Sequence, residues 1–323
     1  MKTILLLCGI SFLLSLISVL LIKNSFSQQL IDIPNERSSH TQPTPRGGGL
    51  GFIIAFAAIL TLSQLLNINL VNSQQYLPWL LLIPLVIVSI IDDWKDVPSS
   101  IRYLVQLLVS TFVVVYCGAF PFPFLTQLGT TGEFIASFLT IIGMTALINF
   151  YNFMDGLDGL VAGVSAIQLG FLAIWFNQPS LWLLVAALVG FLYWNWSPAK
   201  IFMGDVGSTI LGGVVAIAFL THNNTPTSAW LAVTILLPLI GDAIYTLSRR
   251  LLRGENIFKA HRSHLYQRLQ QSGWLHTQVA STYMGMTLII AVSVYYFGIL
   301  GAIGSGIGVL IAIAIAEIYQ NSD

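Results

Sequence analysis

The run Ile91-Asp92-Asp93-Trp94-Lys95-Asp96 places three carboxylates within five residues. On a helix Asp92 and Asp96 lie one turn apart, while Asp93 points elsewhere unless the helix breaks there. Clustered carboxylates repel unless a cation sits between them. Mg²⁺ suits such a cluster, because it takes oxygen ligands and shares its coordination with substrate phosphates. A solvated helix end, with Lys95 as local counter-charge, is the bland alternative. A second polar run, Asn149 to Leu160, repeats Asn149, Asn152, Asp155 and Asp158 every three residues, so that neighbouring pairs share a helix face. Gly156 and Gly159 then loosen the backbone for close approach to a ligand. In Phe202-Met203-Gly204-Asp205-Val206-Gly207-Ser208 one acid stands between glycines. Gly207 and Ser208 could offer N–H groups to an anion, although this is also ordinary N-cap chemistry.

Two further segments carry cations. His261-Arg262-Ser263-His264 has histidines three apart, sharing a face if helical. No third ligand stands nearby, which argues against zinc. Arg262 and Arg268, with Arg249, Arg250, Arg253 and Lys259, suit phosphate, and equally suit anionic lipid at a membrane surface. The first loop places Arg46 before Gly47, Gly48 and Gly49, where a guanidinium and backbone amides could meet one anion or a flexible helix could begin.

The elements that must hold these groups are read from composition. Of 323 residues only 8 % are charged, 56 % are hydrophobic, and mean hydropathy is +0.82. Soluble proteins carry roughly 25 % charged residues. A disordered chain, a soluble two-domain enzyme and a nucleic-acid binder with a basic surface are therefore excluded. A spanning helix needs about 20 apolar residues. Candidates fall at 3–22, 47–66, 76–91, 101–119, 134–151, 159–176, 180–196, 207–222, 229–247, 278–297 and 299–319. The chain thus reads as an all-α polytopic membrane protein, one transmembrane domain over 1–323 with about 11 helices (10 if one is miscounted). The first run is too long for a typical signal-peptide core and lacks a cleavage site, so it reads as a retained span.

With eleven spans, 12 of the 13 Lys and Arg residues fall on one face and only Lys2 on the other. The positive-inside rule makes that face cytoplasmic, with the N-terminus outside and the C-terminus inside. Every motif above lies on it. The spacing Gly304 to Gly308 could mark helix packing or a homodimer.

Taken in order, PNERSSHTQPTPRGGG, DDWKD, NFYNFMDGLDGL, FMGDVGS and HRSHLYQRL resemble the polyprenyl-phosphate N-acetylhexosamine-1-phosphate transferases over residues 34–269. The resemblance implies transfer of a sugar-1-phosphate from a UDP-sugar to a polyprenyl phosphate at an inner (plasma) membrane, with loss of UMP. It implies Mg²⁺, with Mn²⁺ as a substitute, held by Asp205. Asp92 and Asp93 match the paired acids of the family, one of them proposed there as a base on the lipid phosphate. Asn152, Asp155 and Asp158 match its nucleotide-side loop. His261, Arg262 and His264 match the loop that contacts diphosphate and sugar. Lys95 and Arg46 are added on charge alone. The last loop has HRSH where peptidoglycan enzymes carry adjacent histidines, so the segments resemble more the branch that starts O-antigen or other surface glycans from undecaprenyl phosphate. GlcNAc, QuiNAc and FucNAc are the implied sugars, and a phospho-MurNAc-pentapeptide transferase is the alternative. A prenyltransferase would need a second DDxxD motif. A transporter of nucleotide sugars or glycolipids would carry ionisable residues deep in its spans and an internal repeat.

Overall fold

The computed structural model describes residues 2–26, 30–34, 39–40, 42–68, 70, 76–221, 225–256 and 261–321. Arg37 and Lys259, counted above among the basic residues, lie outside the described residues. The chain is almost entirely helical. Its helices are α1 (Lys2–Phe26), α2 (Gly49–Leu65), α3 (Leu77–Leu80), α4 (Ile83–Trp94), α5 (Ser99–Cys117), α6 (Gly129–Met154), α7 (Leu160–Trp175), α8 (Leu181–Asn195), α9 (Asp205–Leu220), α10 (Pro226–Val233), α11 (Leu237–Leu252), α12 (Leu265–Gln271) and α13 (His276–Asn321). A two-residue ribbon pairs β1 (Ile31–Asp32) with β2 (Thr44–Pro45) and closes the first loop.

Among the described residues six stretches are long and apolar enough to cross a membrane, and α2, α7, α8 and α9 are shorter apolar helices. The helix α13 is two legs broken at Gly298 (φ +55°), where the chain doubles back so that Val309 and Met286 line one groove. These legs reproduce the eleven expected apolar runs. Prolines account for the breaks within two of them. Pro84 restarts α4 after α3, and Pro238 restarts α11 after α10, because proline fits the first helical turn and cannot continue a preceding one.

The glycine-rich α9 is the central post. Every residue from Val206 to Phe219 is buried, with α2, α4, α6 and α7 packed around it. Lipid tails are as apolar as leucine, so helices in a bilayer associate through close packing rather than through exclusion of water. Small residues permit that packing here. A Cβ on Gly49 would lie 2.5 Å from the Cα of Gly207, and one on Gly212 would lie 2.7 Å from the Cα of Ile148. Outer helices show the complementary pattern. Leu5, Leu13 and Leu21 of α1 and Leu300, Leu310 and Ile318 of α13 are exposed, as a hydrocarbon-facing surface requires.

Candidate functional site

The ends of α4, α6 and α8 and the starts of α2, α5, α7, α9 and α12 converge at one end of the bundle. The α4 helix stops at Trp94, and Lys95 is extended (φ −146°, ψ 117°) ahead of Pro98. Asp92 and Asp96 therefore do not share a helical face, which corrects the expected pairing; Asp96 and Lys95 are exposed and line neither of the cavities described below. The operative neighbours are Asp92 and Asp93, and their carboxylates diverge. Asp92 accepts from the Val97 N–H (2.8 Å) and pairs with Arg102 (2.5 Å). Asp93 accepts from the N–H groups of Asp205 (3.1 Å) and Val206 (3.4 Å). It thus caps α9, and the expected anion seat at Gly207 and Ser208 is not there, because their N–H groups turn inward to the Gly204 carbonyl. Gly204 makes this approach feasible: its φ is +77°, and a Cβ there would stand 2.8 Å from the Asp93 carboxylate.

The three-residue repeat breaks for a similar reason. The α6 helix ends at Met154, so only Asn149 and Asn152 are helical, and Asp155 and Asp158 belong to the loop that follows. Asn149 donates to Gln106 of α5 (2.7 Å) and Asn152 to Ser208 (3.3 Å). Asp158 accepts from the Ala199 N–H (3.1 Å) and lies 3.2 Å from Nδ1 of His276, whose other nitrogen meets the Ser39 carbonyl (3.1 Å). Burial raises the Asp158 carboxyl, but the hydrogen bond and charge of His276 outweigh it and hold the group below the ordinary carboxylate range. Among the described residues Asp155 has no such partner. Burial first, then the charges of Asp205, Asp93 and Asp158, push it well above that range.

These residues line two cavities. The first, about 360 Å³, is walled by Asp92, Arg102, Asn149, Asn152, Asp205, His261 and His264, with Leu85, Val88 and Phe153 on its apolar side. The second, about 290 Å³, is walled by Arg46, Asp93, Asp155, Asp158, Asn195, Phe202 and His276. Asp205 and Gln267 stand in both walls. Arg102 also reaches Asp205 (3.1 Å), so one guanidinium bridges two carboxylates from different helices. His261 and His264 face each other with ring centroids 5.0 Å apart, but only His264 touches a helix, as the residue preceding α12. Burial, with the charge of Arg250 adding to it, lowers His261 to about 4 and keeps it neutral. Arg262 turns toward Ser39 (3.5 Å) and lines neither cavity. Beside the second cavity, Arg46 Nε and His40 Nε2 are buried without a hydrogen-bond partner.

Among the described residues no three carboxylate, imidazole or thiolate groups converge as a metal cluster. Mg²⁺ does not need three: one or two carboxylates, waters and substrate phosphates complete its shell. Asp92 and Asp205, already sharing one cation, form such an oxygen donor pair.

Several residues of this site lie outside the sequence expectations, Gln267 and His276 among them. Arg102 had been read only as a topological charge, Asn195 carried no motif, and Phe202 appeared only as flanking sequence. Asn195 accepts from the Gly159 N–H (3.0 Å) and donates to the Ile201 carbonyl (3.1 Å), which fixes the two sides of the second cavity.

Comparison with known proteins gives the following. The family described as glycosyl transferase family 4 matches residues 76–223, which include Asp92, Asn152, Asp155, Asp158 and Asp205. A Bacillus subtilis (strain 168) protein, probable undecaprenyl-phosphate N-acetylglucosaminyl 1-phosphate transferase, is 30 % identical over 285 residues, 83 % of this chain and 78 % of the relative. The phospho-N-acetylmuramoyl-pentapeptide-transferase of Deinococcus radiodurans is 30 % identical over 266 residues, covering 76 % and 82 %. The undecaprenyl-phosphate alpha-N-acetylglucosaminyl 1-phosphate transferase of Escherichia coli (strain K12) is 29 % identical over 271 residues, covering 77 % and 71 %.

Proposed function

The chain belongs to glycosyl transferase family 4, within the polyprenyl-phosphate sugar-1-phosphate transferases, and on that premise we propose that it transfers a HexNAc-1-phosphate from a UDP-sugar to undecaprenyl phosphate. A lipid-phosphate oxygen attacks the β-phosphorus of the donor; the bond between that phosphorus and the bridging oxygen breaks, and UMP leaves. The observation that carries this reading is Asp205, which stands where two chemically different cavities meet. The first cavity takes the lipid phosphate. An apolar groove lined by Met144, Leu147, Phe150, Phe219 and Trp230 lies between α6, α9 and α10, and the first cavity itself carries Leu85, Val88 and Phe153 on one side, a surface that suits a prenyl chain. The second cavity, polar and with the Phe202 ring in its wall, takes the nucleotide.

Both reactants are polyanions, so catalysis rests on positioning and charge compensation. Arg102 faces the acceptor phosphate and Arg46 the donor. Neutral His261 and the adjoining His264 border the transferring group. Asp205, with Asp92, would hold Mg²⁺, which when bound neutralises the diphosphate. Asp93 supports the site by capping α9. The donor is of the GlcNAc type, as in the names of the B. subtilis and E. coli relatives, the motifs face the cytoplasm, and surface-glycan initiation is the role. The test is incubation of the purified protein with undecaprenyl phosphate, Mg²⁺ and a panel of UDP-sugars that includes GlcNAc, QuiNAc, FucNAc and MurNAc-pentapeptide. UMP and a butanol-extractable sugar lipid are expected with a HexNAc donor. Product with the MurNAc-pentapeptide donor alone would replace the donor assignment, and no product with any donor would overturn the reaction.

A further inference from the structure

One carboxylate outside the site described above is buried within a span. Asp242 of α11 is 2 % exposed and accepts from the Leu265 N–H (2.8 Å), the Tyr266 N–H (3.0 Å), Thr246 Oγ1 (3.0 Å) and Tyr283 Oη (2.7 Å). A buried charge survives only when it is hydrogen-bonded or paired, and four donors hold this one. Two of them are the first N–H groups of α12. The carboxylate therefore fixes where α12 begins, and the residue immediately before α12 is His264.

The His264 ring is 3 % exposed and enclosed. It stacks on Tyr266 (centroids 5.7 Å), and its buried Nδ1, which makes no hydrogen bond, lies at the ion-pair distance of 3.4 Å from Asp242 Oδ1, whose charge favours a proton on that nitrogen. The remaining nitrogen, Nε2, is the one left for the first cavity that His264 lines. The far side of α12 is pinned as well. Tyr266 Oη donates to the Phe153 carbonyl (3.0 Å), and a Cβ on Gly156 would lie 2.2 Å from that hydroxyl.

We propose that Asp242 is a positioning residue for the transfer: it holds His264 as the Nδ1–H tautomer, with Nε2 presented to the reacting phosphates. A carboxylate behind an imidazole sets tautomer and ring orientation without itself touching substrate. The proposal rests on the transferase reading for its kinetic arm and on the fold alone for its spectroscopic arm.

The spectroscopic arm uses [¹⁵N]histidine-labelled wild-type protein in nanodiscs, with His264 assigned by comparison with His264→Gln. A proton on Nδ1 of His264 is expected, and an Nδ1 without a proton, as in the Nε2–H tautomer, would overturn the proposal. The kinetic arm is a cycle of Asp242→Asn and His264→Ala. The Asn oxygen can still accept from one of the Leu265 and Tyr266 N–H groups, which the carboxylate takes on separate oxygens, so a mere helix cap would leave kcat within threefold of wild type, an outcome that also overturns the proposal. The expected result is a loss of kcat of about a hundredfold, as orienting groups show, with KM for the donor little changed. In the His264→Ala background the same Asp242→Asn change should cost less than threefold; a full hundredfold loss there would refute action through His264. If no donor is turned over, the transferase reading fails while the tautomer measurement still decides the role of Asp242. The same measurement decides it should Asp242→Asn fail to fold.

Discussion

Arg102→Gln should tighten divalent-metal binding while slowing turnover. The guanidinium stands 2.5 Å from Asp92 and 3.1 Å from Asp205, in the space between the two proposed ligands. A divalent ion on Asp205, with an Mg–O bond of about 2.1 Å, would lie about 5 Å from that positive charge. Two charges against one at about 5 Å repel by roughly 1.7 kcal/mol at the dielectric of water and about 7 kcal/mol at an effective dielectric of 20. The Arg102 side chain is 38 % exposed, so the lower figure applies. Replacing the guanidinium with an amide then relieves about 1.5 kcal/mol, roughly a tenfold gain in affinity. Titrating purified protein with Mn²⁺ and following the free ion by electron paramagnetic resonance, with neither substrate present, measures this directly. Turnover should fall ten- to a hundredfold in the same variant, because the cation facing the acceptor phosphate is gone. Unchanged or weaker Mn²⁺ binding in Arg102→Gln would refute the placement of the metal between these carboxylates.

Asp205→Asn should abolish UMP release while leaving the elution profile and helical circular dichroism unchanged; retained full activity would remove Asp205 from the metal site. Gly49→Ala should drive a methyl group against the Gly207 backbone and destabilise the fold by about 1–3 kcal/mol, read as a lower thermal midpoint in detergent. His261 is lowered to about 4 by burial and neighbouring charge, whereas an unfolded histidine takes up its proton near 6.5. Between those values the unfolded chain binds the extra proton, so stability falls as pH drops from about 6.5 toward 4, and His261→Gln should flatten that slope. Imidazole signals that titrate near 6.5 in the folded protein would contradict the assigned environment of His261.

The spans were legible because hydrocarbon imposes a length and a composition on any crossing helix, and because Pro84, Pro238 and Gly298 mark where the apolar runs break or turn. The motifs were legible as polar residues at the ends of those runs. Spacing arguments failed wherever a helix stopped within the motif: at Trp94, which separates Asp92 from Asp96, and at Met154, which releases Asp155 and Asp158 into a loop. Pro98 and Gly156 were the available signals for both stops. Arg102 was not legible as a site residue, since its partner Asp205 is 103 residues away and no local pattern joins them. Asp242 was not legible as a positioning residue, because two of its partners are backbone N–H groups that come to it only once α12 has folded against it.

Since the two cavities have only Asp205 and Gln267 in common, their walls can vary separately. On the proposed assignment of the cavities, substitutions around Phe202 and Asn195 would retune the choice of sugar nucleotide without disturbing the lipid side, and substitutions around Leu85 and Val88 would do the reverse. The same partition offers a route to inhibition. A uridine-like group and a prenyl-like group joined through a short anionic bridge at Asp205 would fill both chambers at once, and the second group would bind at the effective concentration set by the bridge.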